Sequence, residues 1–424
     1  MYPAQAPAYA RPAPPVEGAP SVTLPVAVQW AGCLFCLLTL SNIWAAPLTG
    51  YSLGAEDSAF LRNAYFPAYA VLAGLVAVRP WSMLRLALRE IVLVALVAMA
   101  FASMAWSIDP AGTFRRSLAL AVTVMIGLIL AQRWSLRSAT ELVATTFAIG
   151  AVASFLLGAA VPSMGRMQEI FPGAWRGVWL EKNALGGLMS TGALIQLAAA
   201  VYSPRRRTLW ILAACLCIAL VVLSQSKTSL VILATGAAVA GGCLLARRGP
   251  VTAVLALWAA VTGAVAAAAV ILLAPELIFD ALGKDATLTG RTEIWDAAWR
   301  QLMSRPQLGF GYGVLWEDAE GRGPAAWIAH DAGFVAGHAH NSWLEVALAL
   351  GFTGLALFVL YALQVLGRSV RAFFTSEAAI VALPIIVMTL IRSMTEVSLF
   401  DYHDITWALF VMAGAMLLKP PPQD

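Results

Sequence analysis

The chain has 424 residues, of which 60% are hydrophobic and only 12% charged, with a net charge of +4 at pH 7. Its mean hydropathy is +0.79. Soluble domains run nearer a quarter charged, so this composition excludes a soluble globular protein and indicates an all-α, polytopic membrane protein. The small positive excess implies no nucleic-acid partner; it reflects Lys and Arg at the cytoplasmic ends of helices.

Residues 1–22 are rich in Pro and Ala with a single Arg11, a composition expected of a disordered tail. The apolar run after this tail is long, has a weakly basic start and lacks a cleavage site, so it reads as an uncleaved first span. Cys33 and Cys36 form a CxxC inside it. With no βαβ context the pair reads as small buried hydrophobes, as do Cys215, Cys217 and Cys243.

A membrane helix needs about 20 mostly apolar residues. Twelve such runs can be drawn: 24–46, 60–78, 91–106, 113–131, 139–160, 183–202, 208–223, 228–246, 251–274, 343–366, 378–398 and 404–418. The third and last are the shortest. The resulting organisation is a tail over 1–22, nine helices over 23–274, one large loop over 275–342, three helices over 343–418 and a second tail over 419–424.

Alternate connections carry the basic residues: Arg79, Arg85 and Arg89; Arg133 and Arg137; Arg205, Arg206 and Arg207; Arg247 and Arg248; Arg368 and Arg371. The intervening connections are acidic or mixed. By the positive-inside rule both termini are cytoplasmic and the large loop is periplasmic. Several cations then sit at the outer face against the rule: Arg62, Arg115, Arg116, Arg166, Arg176, Lys182, Lys227, Arg291 and Arg392. Such a set suggests an anionic ligand at the outer leaflet, with snorkelling to headgroups as the plainer explanation for part of it.

Four segments carry chemistry. Residues 176–187 open the sixth span with Arg176, Lys182 and Asn183, where unpaired backbone N–H groups already favour an anion; an interfacial anchor is the structural alternative. The hairpin from Ser224 to Ser229 sets four hydroxyls, Gln225 and Lys227 between two spans, and polar backbone at membrane depth is tolerated where it lines protein or water; a tight turn is the plainer reading. In the loop, residues 290–305 read as an amphipathic helix with Arg291, Trp295 and Trp299, placed to lie on the outer leaflet. The Gly309-Phe310-Gly311-Tyr312-Gly313 bend comes next, and no strand precedes it, so it is a weak phosphate-loop signal.

The loop re-enters the membrane at His338-Ala339-His340-Asn341-Ser342-Trp343-Leu344-Glu345. Three of the four histidines of the chain, His330, His338 and His340, lie in this loop. His340 is suited to take a proton from a sugar hydroxyl, with the neighbouring Glu345 carboxylate setting its tautomer; His338 is the competitor, and a structural donor is the alternative for either. Asp401, Tyr402, His403 and Asp404 have the residue types of a divalent-metal site, though a short polar turn is usually solvated and no further ligand spacing supports a metal.

Taken in order, these motifs resemble the O-antigen ligase and polysaccharide polymerase superfamily of bacterial inner membranes, over residues 25–418. The resemblance implies a GT-C-like fold and transfer of an undecaprenyl-diphosphate-linked oligosaccharide to a glycan acceptor hydroxyl at the periplasmic face, with no metal and no cofactor. It implies that His340 deprotonates or orients the acceptor and that Arg176 and Arg291 hold the diphosphate. Lys182, Asn183, Lys227, Asn341, Glu345 and His338 would then serve binding. Besides the bilayer, chain-length regulator and flippase proteins are the expected partners. Residues 182–183 and 226–228 look closer to succinoglycan-type exopolysaccharide polymerases than to lipid A-core ligases, so repeat-unit polymerisation is the favoured expectation. Ligation is the alternative, a lipid-linked oligosaccharide flippase is the competing class, and a scaffold of the export machinery is the bland one.

Overall fold

A computed structural model describes residues 24–51, 63–168, 171–273, 290–316 and 321–418. The expectations for both terminal tails, for Arg11, Arg62 and Lys419, and for residues 275–289 lie outside these residues. Helix is the dominant element, and each of the twelve apolar runs holds one. They are α1 (Val26–Leu40), α2 (Phe66–Val78), α3 (Pro80–Arg89), α4 (Ile91–Ala102), α5 (Pro110–Arg133), α6 (Leu136–Ala160), α7 (Lys182–Tyr202), α8 (Arg207–Leu223), α9 (Lys227–Ala246) and α10 (Pro250–Leu273). The loop contributes α11 (Arg291–Ser304) and α12 (Pro324–Ala332), and α13 (Ser342–Arg371), α14 (Glu377–Arg392) and α15 (Ile405–Met416) complete the chain.

By length and composition, six helices among the described residues can cross a membrane, or seven if α2 and α3, bent by 96°, count as one broken span; α1, α15, the segment Ile91–Ala105 that includes α4, and the segment Pro250–Gly263 of α10 are shorter and apolar. Every residue of α15 is buried. A helix that is apolar all round is a core helix, and α15 packs chiefly along α5. Trp407 and Phe410 from α15 and Phe358 and Tyr361 from α13 are the largest fully buried side chains. On the outside, α6, α8, α9 and α10 expose large apolar residues such as Phe155, Leu212, Val231 and Trp258, the surface that acyl chains would cover.

The loop is fastened to this bundle through a break in α13. Gly351 has φ 66° and ψ −170°, which interrupts the helix. The interruption frees backbone groups that would otherwise pair within the helix, and such groups are costly at membrane depth unless protein supplies partners. The loop supplies them: Phe310 and Gly311 N–H donate to the Leu348 and Ala349 carbonyls at 2.9 Å each, and Phe352 N–H donates to the Pro306 carbonyl at 2.7 Å. The approach is close enough that a Cβ on Gly351 would lie 2.2 Å from the Gln307 carbonyl carbon. The glycine-rich bend expected at 309–313 is therefore a backbone strap over a broken helix, which accounts for its glycines without a phosphate.

Beneath the strap lies a second small core of Ile294, Ala297, Ala298, Leu302, Phe310, Leu315, Ile328, Ala339, Ala347 and Leu348. This core holds α11 and α12 against α13. Trp295 is partly buried and donates from Nε1 to the Ala339 carbonyl at 2.8 Å, whereas Trp299 is 52% exposed. The expected pair of interfacial tryptophans thus splits: Trp295 fixes the loop, and Trp299 alone is free to meet lipid.

Gly351→Ala is expected to cost about 1–3 kcal/mol, because it forces an alanine into positive φ and against the Gln307 backbone. The thermal unfolding midpoint of the detergent-solubilised protein should fall, and residues 306–316 should become protease-sensitive. A wild-type midpoint with a resistant loop would show that the strap is not what holds α13.

Candidate active site

The site is built where α13 begins and α14 ends. Asn341 caps α13, its Oδ1 accepting from Trp343 N at 2.9 Å and Leu344 N at 3.2 Å, as an N-cap side chain does. His340, just outside the cap, has φ 50°, a backbone state uncommon outside glycine but open to histidine more than to most residues. That turn aims the imidazole away from the helix axis toward α14.

The run expected to stay helical over 378–398 stops at Arg392, and the chain turns back under α13. Ser342 organises this turn. Its N–H donates to the Ser393 carbonyl at 2.8 Å, its Oγ donates to the Glu396 carbonyl at 3.1 Å, and the same Oγ accepts from Ser398 N at 3.0 Å and Leu399 N at 3.2 Å. Six residues that hydropathy assigned to the membrane become a polar platform.

Glu396 stands on that platform between two groups from the loop. Its Oε2 lies 3.3 Å from His340 Nδ1, and its Oε1 lies 2.9 Å from Arg291 Nη2. Arg291 Nη1 donates to the Thr395 carbonyl. Desolvation would raise the Glu396 carboxyl, but the His340 hydrogen bond and the Arg291 charge outweigh it and bring the pKa from 4.5 down to about 2. Glu396 is therefore a carboxylate over the working pH range, and it draws the His340 proton to Nδ1. The Nε2 lone pair is left on the opposite edge of the ring, the tautomer required of a general base.

His338 is arranged differently. Its ring meets His340 edge-on, with centroids 4.0 Å apart, and its Nδ1 accepts from the His340 backbone N–H at 3.2 Å. Burial, followed by the charge on His340, pushes its pKa from 6.5 down to about 4. With Nδ1 already accepting, the neutral ring carries its proton on Nε2 and can donate there but not abstract. The two histidines thus hold complementary roles.

The expected partnership of Glu345 with His340 is corrected by this geometry. Both Glu345 oxygens accept from Trp316 Nε1 at 2.9 Å, and Oε1 also accepts from Ala339 N at 2.5 Å. Glu345 points from α13 toward the loop and fixes the backbone between the two histidines, and the carboxylate on the His340 ring is Glu396. Sequence reasoning missed Glu396 because hydropathy extended the span through it. The signal was there: Arg392, Ser393, Thr395, Glu396 and Ser398 make a polar cluster too dense for a lipid-facing turn.

On the other side of Arg392 lie the starts of α7 and α9, which carry Lys182 and Lys227. One helical turn before Glu396, whose N–H donates to the Arg392 carbonyl at 2.9 Å, Arg392 is buried and donates from Nη1 to Thr406 Oγ1 at 3.2 Å. It lies against the start of α7, where a Cβ on Gly187 would sit 2.8 Å from Arg392 Cζ. At that start Asn183 Oδ1 accepts from Ser226 Oγ at 2.8 Å, and Ser229 Oγ donates to Ser226 Oγ at 2.9 Å. The polar hairpin is thereby locked to the sixth span. Lys182 Nζ lies 3.4 Å over the Phe171 ring, and Lys227 is exposed as the first residue of α9. The amino ends of α7 and α9 therefore stand together; α9 is capped by Ser226 Oγ, which accepts from Ser229 N at 3.4 Å, and α7 has no side-chain cap.

Arg176 stands apart. Its Nε donates to the Met164 carbonyl at 2.8 Å, and its guanidinium lies 4.1 Å over the Tyr51 ring. Among the described residues no contact joins it to His340, Glu396 or Arg291. Other cations expected at the outer face also have structural partners: Arg116 Nη1 donates to the Gly313 carbonyl at 2.5 Å, and Arg166 Nε donates to the Gly158 carbonyl at 2.9 Å. In the 401–404 turn, Asp404 caps α15 through Trp407 N at 3.1 Å. His403 stacks on Tyr65 at 3.6 Å and lies 2.6 Å from the Tyr69 hydroxyl. Among the described residues no three His, Cys, Asp or Glu side chains are grouped to hold a metal ion.

Residues 211–359 match the family model described as O-antigen ligase. The chain is 28% identical over 333 residues to the exopolysaccharide production protein ExoQ of Rhizobium meliloti (strain 1021), an alignment that covers 74% of each chain. The family segment contains Arg291, His338, His340 and Glu345 and ends before Arg392 and Glu396.

A carboxylate with a depressed pKa stabilises the fold above its ordinary pKa and loses that contribution as it is protonated. The unfolding midpoint of the wild type should therefore fall as pH drops from 4.5 toward 2, and the fall should be shallower in Glu396→Gln. Parallel pH curves for the two proteins would remove Glu396 from the linkage.

Proposed function

We propose that the chain, a member of the O-antigen ligase and polysaccharide polymerase superfamily, is a membrane glycosyltransferase. It transfers an undecaprenyl-diphosphate-linked glycan to an acceptor sugar hydroxyl and thereby extends exopolysaccharide or O-antigen repeat units. The observation that carries this reading is the Arg291–Glu396–His340 array, with bonds of 2.9 and 3.3 Å. The acceptor hydroxyl gives its proton to His340 Nε2 as its oxygen attacks the anomeric carbon, and the bond from that carbon to the diphosphate oxygen breaks. The new imidazolium is then balanced by Glu396, which is already ionised.

The diphosphate departs as an anion, and preorganised cations stabilise that charge best in a site shielded from water. Arg291 supplies a planar set of donors, two of them already used to fix it in place. Lys182, Lys227 and the α7 and α9 amino ends face the same charge, with Arg392 beneath. Arg176 belongs to this scheme as an anchor of the outer segment from Met164 to Gly177, with the glycan rather than the diphosphate within its reach. The enzyme sits in the inner membrane with both termini cytoplasmic and this site periplasmic. The exopolysaccharide production for which ExoQ is named supports polymerisation, and the O-antigen ligase description of the family model supports ligation onto lipid A-core as the second reading.

His340→Ala and Arg291→Ala should each abolish chain extension in cells while the protein still inserts, and normal polymer length in both would sink the proposal. Glu396→Gln should lower turnover in a purified donor–acceptor assay by up to about 10²–10⁴-fold, the usual contribution of a general base, because it removes the carboxylate that sets the tautomer of His340. Glycan from a deletion strain separates the two readings: single repeat units point to polymerisation, and loss of glycan from lipid A-core points to ligation.

A further inference from the structure

The face of the bundle opposite the loop carries a feature that the proposed chemistry does not use. α5 starts beside the loop, where Arg116 meets Gly313, and runs 24 residues to Arg133. At about 1.5 Å per residue its far end is a bilayer's thickness away. There α3 turns by 96° from α2 and lies across the bundle. Between α3 and the ends of α5 and α15 is a cavity of about 240 Å³, lined by Ser82, Arg85, Leu86, Arg89, Gln132 and Leu418 among others.

Three observations fit one occupant. First, α3 exposes Trp81 (74%), Leu84 and Leu88 (60%) along one stripe, with Arg85 and Arg89 on the neighbouring stripe one turn apart. A helix of this pattern lies in the interface with its apolar stripe among acyl chains and its cations at headgroup level. Secondly, Arg85 and Arg89 are exposed at the cavity, and neither has a carboxylate partner among the described residues, although Glu90 next to them is taken by Arg368 at 2.5 Å. Thirdly, Gln132 Nε2 donates to Ser82 Oγ at 2.6 Å, while its buried Oε1 has no partner. A buried acceptor of this kind is costly until a donor reaches it.

We propose that this cavity binds an anionic phospholipid with a hydroxylated headgroup, of the phosphatidylglycerol class, from the leaflet opposite the active site. The phosphate sits between Arg85 and Arg89, a headgroup hydroxyl donates to Gln132 Oε1, and the apolar walls from Leu86 and Leu418 take the glycerol and upper acyl carbons. A zwitterionic headgroup fits less well because its own cation competes with the arginines for the phosphate. The lipid wedges α3 against the ends of α5 and α15, so it braces the bent α2–α3 corner.

The test is native mass spectrometry of the full chain in detergent, titrated with phosphatidylglycerol, phosphatidic acid or phosphatidylcholine. The wild type should retain phosphatidylglycerol at least roughly tenfold more tightly than phosphatidylcholine. R85Q/R89Q should lose roughly 30-fold, since each basic residue near an anionic headgroup is worth about fivefold. R247Q/R248Q, which changes another arginine pair outside the cavity, should bind as the wild type does. Gln132→Leu should weaken phosphatidylglycerol and leave phosphatidic acid, which lacks the headgroup hydroxyls, unchanged; it keeps the test open if the double variant unfolds. Equal affinity for phosphatidylcholine, undiminished binding by R85Q/R89Q, an equal loss in R247Q/R248Q, or displacement of the lipid by inorganic phosphate alone would each overturn the proposal.

Discussion

A helix that crosses a bilayer satisfies its backbone internally, and α13 gives up that arrangement at Gly351. The freed carbonyls of Leu348 and Ala349 are met by Phe310 and Gly311 N–H, so a loop segment is drawn onto the bundle as hydrogen-bonding partner. In hydrocarbon the alternative is unpaired backbone at several kcal/mol per group, which makes the docking of the loop close to obligatory. The elements on either side of the strap, α11, α12 and the His338–Asn341 turn, are placed by it and by the small core beneath it. The candidate active site therefore rests on a broken helix.

The same economy runs through the site. A single carboxylate, Glu396, bonds both Arg291 and His340, and in the proposed reaction it is already charged when the imidazolium forms. It is held by the turn after α14, and that turn is held by Ser342, the first residue of the broken helix. The groups proposed for donor and acceptor chemistry are thus mechanically joined at the point where α13 starts and α14 ends. Arg392 extends this junction to the amino ends of α7 and α9, which bring the remaining cations.

Outer-face cations had suggested one anion site, and the structure sorts them. Arg291 is held by Glu396 and the Thr395 carbonyl, and Arg392, Lys182 and Lys227 stand at or beside helix ends, Lys182 over the Phe171 ring; Arg116, Arg166 and Arg176 are bound to loop and helix carbonyls away from His340. A guanidinium has five donors and an apolar-tolerant plane, so arginine at a membrane surface serves packing as readily as substrate. Residue type alone could not separate these uses.

Hydropathy and charge determined the all-α membrane class, located a helix in each of the twelve apolar runs, and pointed to the loop and its motifs as the candidate region for chemistry. Those properties are local, fixed by about 20 consecutive residues or by the sign of a connection. Which carboxylate faces His340 was a tertiary decision, because Glu345 and Glu396 are both near it in some sense, one in sequence and one in space. Hydropathy read Ser393 to Ser398 as membrane, whereas the hydrogen bonds of Ser342 fold that stretch into a platform. The bend at Gly309 to Gly313 likewise showed its glycines in the sequence and its purpose only against the break in α13. Sequence spacing fixed what each residue could do; long-range backbone pairing chose which of those possibilities became a site.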